Sequence, residues 1–188
     1  MLVAGTALLL AACDSGAPKF KSTDITGADF GKSLDLTGQD GRPRSLADFR
    51  GKLVVLFFGY THCPDICPTT LADVAAVMKS LGKDAARVQV LFVTLDPERD
   101  TPDVLSKYVP AFDPAFLGLY GDAAATQRAA KEFRIFYEKR PGSAPGAYTV
   151  DHSAQCYVID GQGRLRLLVR QDRIAQDLAD DLRTLLKG

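Results

Sequence analysis

In the stretch GYTHCPDICPTT, residues 59–70, Cys63 and Cys67 stand with three residues between them. Two sulfurs so close can form a redox switch, supply half of a metal site, or act as a structural clip. Residues four apart on a helix share a face, so the sulfurs converge if a helix begins there. The first-turn N–H groups of a helix have no helical partner and favour negative charge, which lowers a thiol's pKa. Thiolate is both the nucleophile of disulfide exchange and a ligand for soft metals, so location predicts reactivity without choosing the reaction. Pro64 and Pro68 flank the pair, as expected of a strand-to-helix junction rather than of two ordinary core cysteines.

The elements that must position this pair are legible around it. The run KLVVLFFGY, 52–60, is continuously apolar, as expected of a central strand covered on both faces. In TTLADVAAVMKSLG, residues Leu71, Val74, Ala75, Met78 and Leu81 recur at helical spacing and Gly82 ends the helix. RVQVLFVTLD, 87–96, reads as a second buried strand, and DTPDVLSKYV as a helix with Thr101 as N-cap and Pro102 at its first position. FLGLYG is a short strand and DAAATQRAAKEFRI a third helix. A Gly/Pro-rich loop over 141–147 precedes two strands in SAQCYVIDGQGRLRLLVR, and a last helix carries Ile174, Leu178, Leu182, Leu185 and Leu186. Upstream, KSLDLTGQDGRPRSL predicts an N-terminal β-hairpin turning at Asp40-Gly41. This alternation predicts an α/β domain with helices flanking a largely parallel central sheet.

Composition narrows the partners. The chain has 188 residues, of which 46% are hydrophobic, and 23 Lys+Arg balance 23 Asp+Glu with no basic block, so nothing points to nucleic acid. Four cysteines are too few for a disulfide scaffold in a chain this long, so each needs its own explanation. The run MLVAGTALLLAAC is too short to span a bilayer and has the length of a signal-peptide core. Its lack of a positively charged start leads us to expect that residue 1 lies inside the signal peptide. Leu10-Ala11-Ala12-Cys13 resembles the bacterial lipobox, in which the cysteine receives a diacylglycerol. The expected organisation is therefore a signal segment over 1–13, a flexible tether over 14–27, and a folded body over 28–188. The expected location is the bacterial periplasm, lipid-anchored to the membrane, where disulfides are tolerated.

Spacing and the later chain begin to separate the chemistries. Oxidoreductases of the thioredoxin type use two intervening residues and set a proline opposite the pair, just before a later strand. Here three residues intervene, and the corresponding position holds Asp151-His152-Ser153. His152 is thereby the candidate third ligand, and two thiolates with one imidazole suit copper, above all Cu(I). Structural zinc would want four protein ligands, and no fourth is evident. The neighbour His62 is expected to turn away. Cys156 is most simply a small buried hydrophobe; a fourth ligand or second disulfide partner is the other reading. Asp65, Asp96 and Asp151 are the nearby carboxylates; Asp96 either orients His152 or caps the following turn. Tyr60 and Tyr148 either shield the site or pack.

Three segments, FFGYTHCPDICPTTL, TLDPERDTP and YTVDHSAQCYVIDGQG, resemble the signature stretches of the Sco/SenC family of membrane-tethered copper proteins, and LADFRGKLVVLFFGY is also typical. The resemblance runs from about residue 28 to the C-terminus. It implies a thioredoxin-like fold, with a central mixed sheet flanked by helices, and copper bound by Cys63, Cys67 and His152. It further implies assistance to the CuA centre in subunit II of cytochrome c oxidase, as copper donor, as reductant of that subunit's cysteines, or both. A second periplasmic copper or thiol-disulfide protein is a further expected partner, and a monomer the default state. The competing expectation is an enzyme, a thiol-disulfide oxidoreductase or thiol peroxidase in which Cys63 and Cys67 are the redox-active pair.

Overall fold

The computed structural model describes residues 18–187; the lipobox with Cys13, and the start of the expected tether, lie outside the described residues. The centre of the molecule is β4 (Leu53–Gly59), all seven of whose residues are buried, as its uninterrupted apolar sequence requires. It pairs in parallel with β5 (Val88–Thr94), which pairs in parallel with β6 (Leu117–Tyr120). On the other side of β4 lies antiparallel β9 (Cys156–Ile159), followed by β10 (Leu165–Val169). The edges are closed by β1 (Thr23–Asp24) on β10, and by the hairpin of β2 (Leu36–Gly38) and β3 (Pro43–Arg44) on β6. The resulting eight-stranded mixed sheet runs β1-β10-β9-β4-β5-β6-β2-β3, the thioredoxin-like arrangement expected, with the N-terminal hairpin as its extension.

Helix α1 (Ile66–Leu81) connects β4 to β5 and stops at Gly82, whose φ of +57° suits a residue without Cβ. Helix α2 (Pro102–Tyr108) starts as its sequence predicts, with the Thr101 hydroxyl accepting from Val104 N–H at 3.3 Å. Asp122 caps α3 (Ala123–Glu132) in the same way. The C-terminal helix opens with a π-helical turn over Ile174–Leu178 and continues as α4 (Ala179–Lys187), packed on α1 and β4 through buried Ile174, Leu178 and Leu182.

Two segments differ from the sequence reading. The sequence reading places a loop over 141–147 but no strand on either side of it within 137–152. Residues 137–152 form a separate two-stranded sheet, β7 (Tyr137–Pro141) against β8 (Tyr148–His152), and only the turn over 142–147 remains as loop. YEKRP and YTVDH are mostly exposed, with Val150 alone buried, so neither carries the apolar alternation by which a strand is recognised. The second half of the expected tether is docked. Asp181, itself 1% exposed, accepts the backbone N–H groups of Lys21 and Ser22 at 2.8 and 2.9 Å, and β1 then adds to the sheet edge.

Candidate metal centre

Cys63 lies four residues beyond the end of β4, and Cys67 in the first turn of α1, which begins at Ile66. The helix therefore starts earlier than its apolar periodicity suggests. Cys67 is buried and its backbone N–H points at Cys63 Sγ, 3.4 Å away. The Cys63 thiol is lowered to about 5, chiefly by the hydrogen bond that Cys67 donates to its thiolate. Partial burial opposes this, and the backbone N–H groups of Asp65 and Cys67 assist. The Cys67 thiol is pushed far above the ordinary thiol range, because it holds the proton shared with Cys63 and because it is buried. One sulfur is thus poised as thiolate and its neighbour as thiol.

The third group arrives from β8. His152 Nε2 lies 3.3 Å from Cys67 Sγ, although the two residues are 85 apart in sequence. The other ring nitrogen, Nδ1, is 2.9 Å from the carbonyl oxygen of Ser153. A carbonyl only accepts, so in the neutral ring Nδ1 carries the hydrogen and Nε2 turns its lone pair toward the sulfurs. Tyr60 and Phe57 pack edge-on against the ring, with centroids 5.9 and 6.1 Å away. The sulfurs of Cys63 and Cys67 and a nitrogen of His152 all lie within 4.8 Å of one another. Metal–sulfur and metal–nitrogen bonds are about 2.0–2.3 Å long, so a shared ion closes such a set with little movement. Among the described residues no further His, Cys, Asp or Glu joins it, which leaves a soft three-donor set on a cleft bordered by Pro64, Ile66 and Val150.

The remaining sequence candidates fall elsewhere. Cys156 is fully buried opposite Phe57 in the sheet, and burial raises its thiol to about 12, as for a small core residue. His62 turns to the hydroxyl of Thr61 and to Asp100. Asp65 is exposed at the N-cap of α1 and makes no side-chain cap bond; it serves through its backbone N–H to Cys63. Asp151 alternates away from His152 and pairs with Arg140 Nε at 2.9 Å. Asp96 does not touch His152. Its buried carboxylate accepts the Tyr148 hydroxyl at 2.7 Å and pairs with Arg99, whose guanidinium stacks 3.6 Å from the Tyr148 ring centroid. Tyr148 is therefore a fastening point of β8, while Tyr60 covers the imidazole. Sequence reasoning missed Asp100, which is 1% exposed and accepts from Thr61 N–H at 2.9 Å and from the Thr61 and Thr94 hydroxyls, each at 2.6 Å. A second aspartate in TLDPERD, just beyond a buried strand, was the available signal.

Comparison with known proteins gives one family. The SCO1/SenC family model matches residues 22–187. A mitochondrial SCO2 homolog from Bos taurus is 39% identical over 152 residues, covering 80% of this chain and 57% of the relative. Among solved structures, copper-bound ScoI of Bradyrhizobium japonicum is 38% identical with a TM-score of 0.76, covering 83% of this chain and 99% of that one. Apo Sco1 of Thermus thermophilus is 41% identical with a TM-score of 0.79, covering 90% and 99%. The chain spans a little over half the length of the curated mitochondrial relatives it matches.

Proposed function

Because the chain belongs to the SCO1/SenC family, we propose that it is a copper metallochaperone whose cargo is held by Cys63, Cys67 and His152. It would deliver that copper to the CuA site in subunit II of cytochrome c oxidase. The observation that carries this reading is the approach of His152 Nε2 to Cys67 Sγ at 3.3 Å, with Cys63 in the same cluster. Copper bound in three family members supports it. Two soft sulfurs and one imidazole favour Cu(I), and three-coordination on an open cleft favours transfer. A partner thiolate adds to the ion without displacing a full shell, and each chaperone ligand then leaves as a partner ligand replaces it. In this reading Cys13 carries the lipid, residues 1–13 are the signal and lipobox segment, and the body, joined to it by the tether that starts at residue 14, works in the bacterial periplasm.

The lowered Cys63 thiol favours a second reading, reduction of the oxidase subunit's cysteines. The Cys63 thiolate attacks the partner disulfide, forming a mixed disulfide and releasing one partner thiolate. Cys67, its proton passed to the facing His152 Nε2, attacks Cys63 Sγ, releases the second partner thiolate and leaves a Cys63–Cys67 disulfide; two electrons pass to the partner.

Anaerobic Cu(I) competition titration of the reduced protein is expected to give one tightly held copper. His152→Ala should weaken it at least about ten-fold, and unchanged affinity would remove the imidazole from the ligand set. Mixing the loaded protein with the apo CuA domain separates the two readings. Copper movement to the reduced domain supports delivery; thiol exchange with the oxidised domain, without copper movement, supports the reductase.

A further inference from the structure

The turn following β5 supplies no ligand, yet both arms of the site are fastened to it. On the histidine side, the buried Asp96 carboxylate takes the Tyr148 hydroxyl at 2.7 Å, and Arg99 Nη1 donates to the Tyr148 carbonyl at 3.0 Å while its guanidinium lies on the ring. Tyr148 is the first residue of β8 and His152 the last, so one short strand links this clamp to the imidazole. Among the described residues, the hairpin that carries β8 belongs to a sheet of its own, with no ladder to the central sheet to hold it. On the cysteine side, the buried Asp100 carboxylate takes the N–H and hydroxyl of Thr61, two residues before Cys63, and is itself fixed by the Thr94 hydroxyl at the end of β5.

We propose that the turn over 95–100 is the positioning element of the metal site, setting the gap between imidazole and sulfurs through Asp96 and Arg99 on one arm and Asp100 on the other. It rests on the copper reading above and adds to it the part that decides how far apart the ligands stand. Groups that orient ligands without touching the ion commonly govern metal affinity by 10–100-fold. Tyr148, Asp96, Arg99 and Asp100 are positioning residues in this sense.

The test uses the full chain, with Tyr148→Phe, Asp96→Asn and Asp100→Asn placed in the parent and in a His152→Ala background. Tyr148→Phe and Asp96→Asn should speed amide hydrogen exchange over 149–152 in the metal-free protein and weaken Cu(I) binding about ten-fold against a chromophoric chelator. In the His152→Ala background the same two changes should alter affinity less than about two-fold, because the arm they steady no longer carries a ligand. Asp100→Asn should weaken binding in both backgrounds, since it acts through the cysteine arm. If Asp96→Asn fails to fold, Arg99→Lys, which keeps the charge and loses the flat stacking, should reproduce the Tyr148→Phe pattern. Equal losses in both backgrounds for Tyr148→Phe, or no loss in the parent, would overturn the proposal. If His152→Ala alone leaves copper affinity unchanged, the copper-ligand reading falls and takes the clamp's role with it. If His152→Ala weakens binding and Tyr148→Phe does not, only the clamp falls.

Discussion

At the scale of single residues, the two cysteines of the pair are chemically unlike. Cys63 is partly buried and receives hydrogen bonds from the Cys67 thiol and from backbone N–H groups; Cys67 is buried and keeps its proton. The thiolate is the reactive form, so in the metal-free reduced protein the alkylation rate of Cys63 should fall as pH drops through about 5 and level off above it. Iodoacetamide labelling read by mass spectrometry checks this, with Cys67 and Cys156 expected to stay unlabelled across the same range. Cys67→Ala removes the donor and should move the Cys63 midpoint up toward the ordinary thiol value of about 8.5. The asymmetry suits both proposed readings: a preformed thiolate would meet incoming copper or a partner disulfide first, and the second sulfur would be drawn in behind it.

At the scale of elements, the site is made where β4 ends and α1 begins. The junction is close-packed from below. A Cβ built on Gly59 would stand 2.8 Å from Cys67 Sγ and 3.0 Å from the rings of Phe57 and Phe92. Gly59→Ala should therefore push Cys67 outward and destabilise the fold by about 1–3 kcal/mol, the usual cost of overpacking a core. Urea denaturation measures the stability term, and weakened Cu(I) binding should accompany it; a variant with parental values in both would show that the junction yields. The opposite arm is built on different physics. β7 and β8 bury little apolar surface; the polar clamp on Tyr148 ties them to the turn after β5, and Ser153 N–H, donating to the Phe136 carbonyl at 3.0 Å, closes the base of the hairpin. A rigid sulfur pair thus faces an imidazole held by a few replaceable bonds. In the delivery reading proposed above, this leaves the imidazole as the ligand that lets go most readily.

At the scale of the whole molecule, the mixed sheet carries the site at one end of β4 and secures the incoming chain at its edge. Asp181→Ala removes a buried carboxylate bonded to two backbone N–H groups and should cost about 2 kcal/mol. It should speed exchange of the Lys21 and Ser22 amides while leaving copper affinity unchanged, since the bonds of this anchor run to the β1 edge of the sheet and not to the cysteines; a matching loss of affinity would show that the edge and the site are coupled. What the sequence determined by itself was the local chemistry. Sulfur spacing, the strand that ends before Cys63, the cap of α2 and the apolar runs of β4 and β5 all depend on neighbours within a few residues, and those preferences act on any chain carrying them. Tertiary structure alone decided which carboxylates matter and how the imidazole approaches. Asp96 and Asp100 look alike in TLDPERD, yet one holds Tyr148 and the other Thr61 because β5 delivers them between two arms distant in the chain. The β7–β8 pairing and the docking of 21–24 likewise escaped the sequence. Exposed strands and a polar edge leave no hydrophobic period to detect, and contacts between residues 85 or 160 positions apart exist only once the sheet has formed.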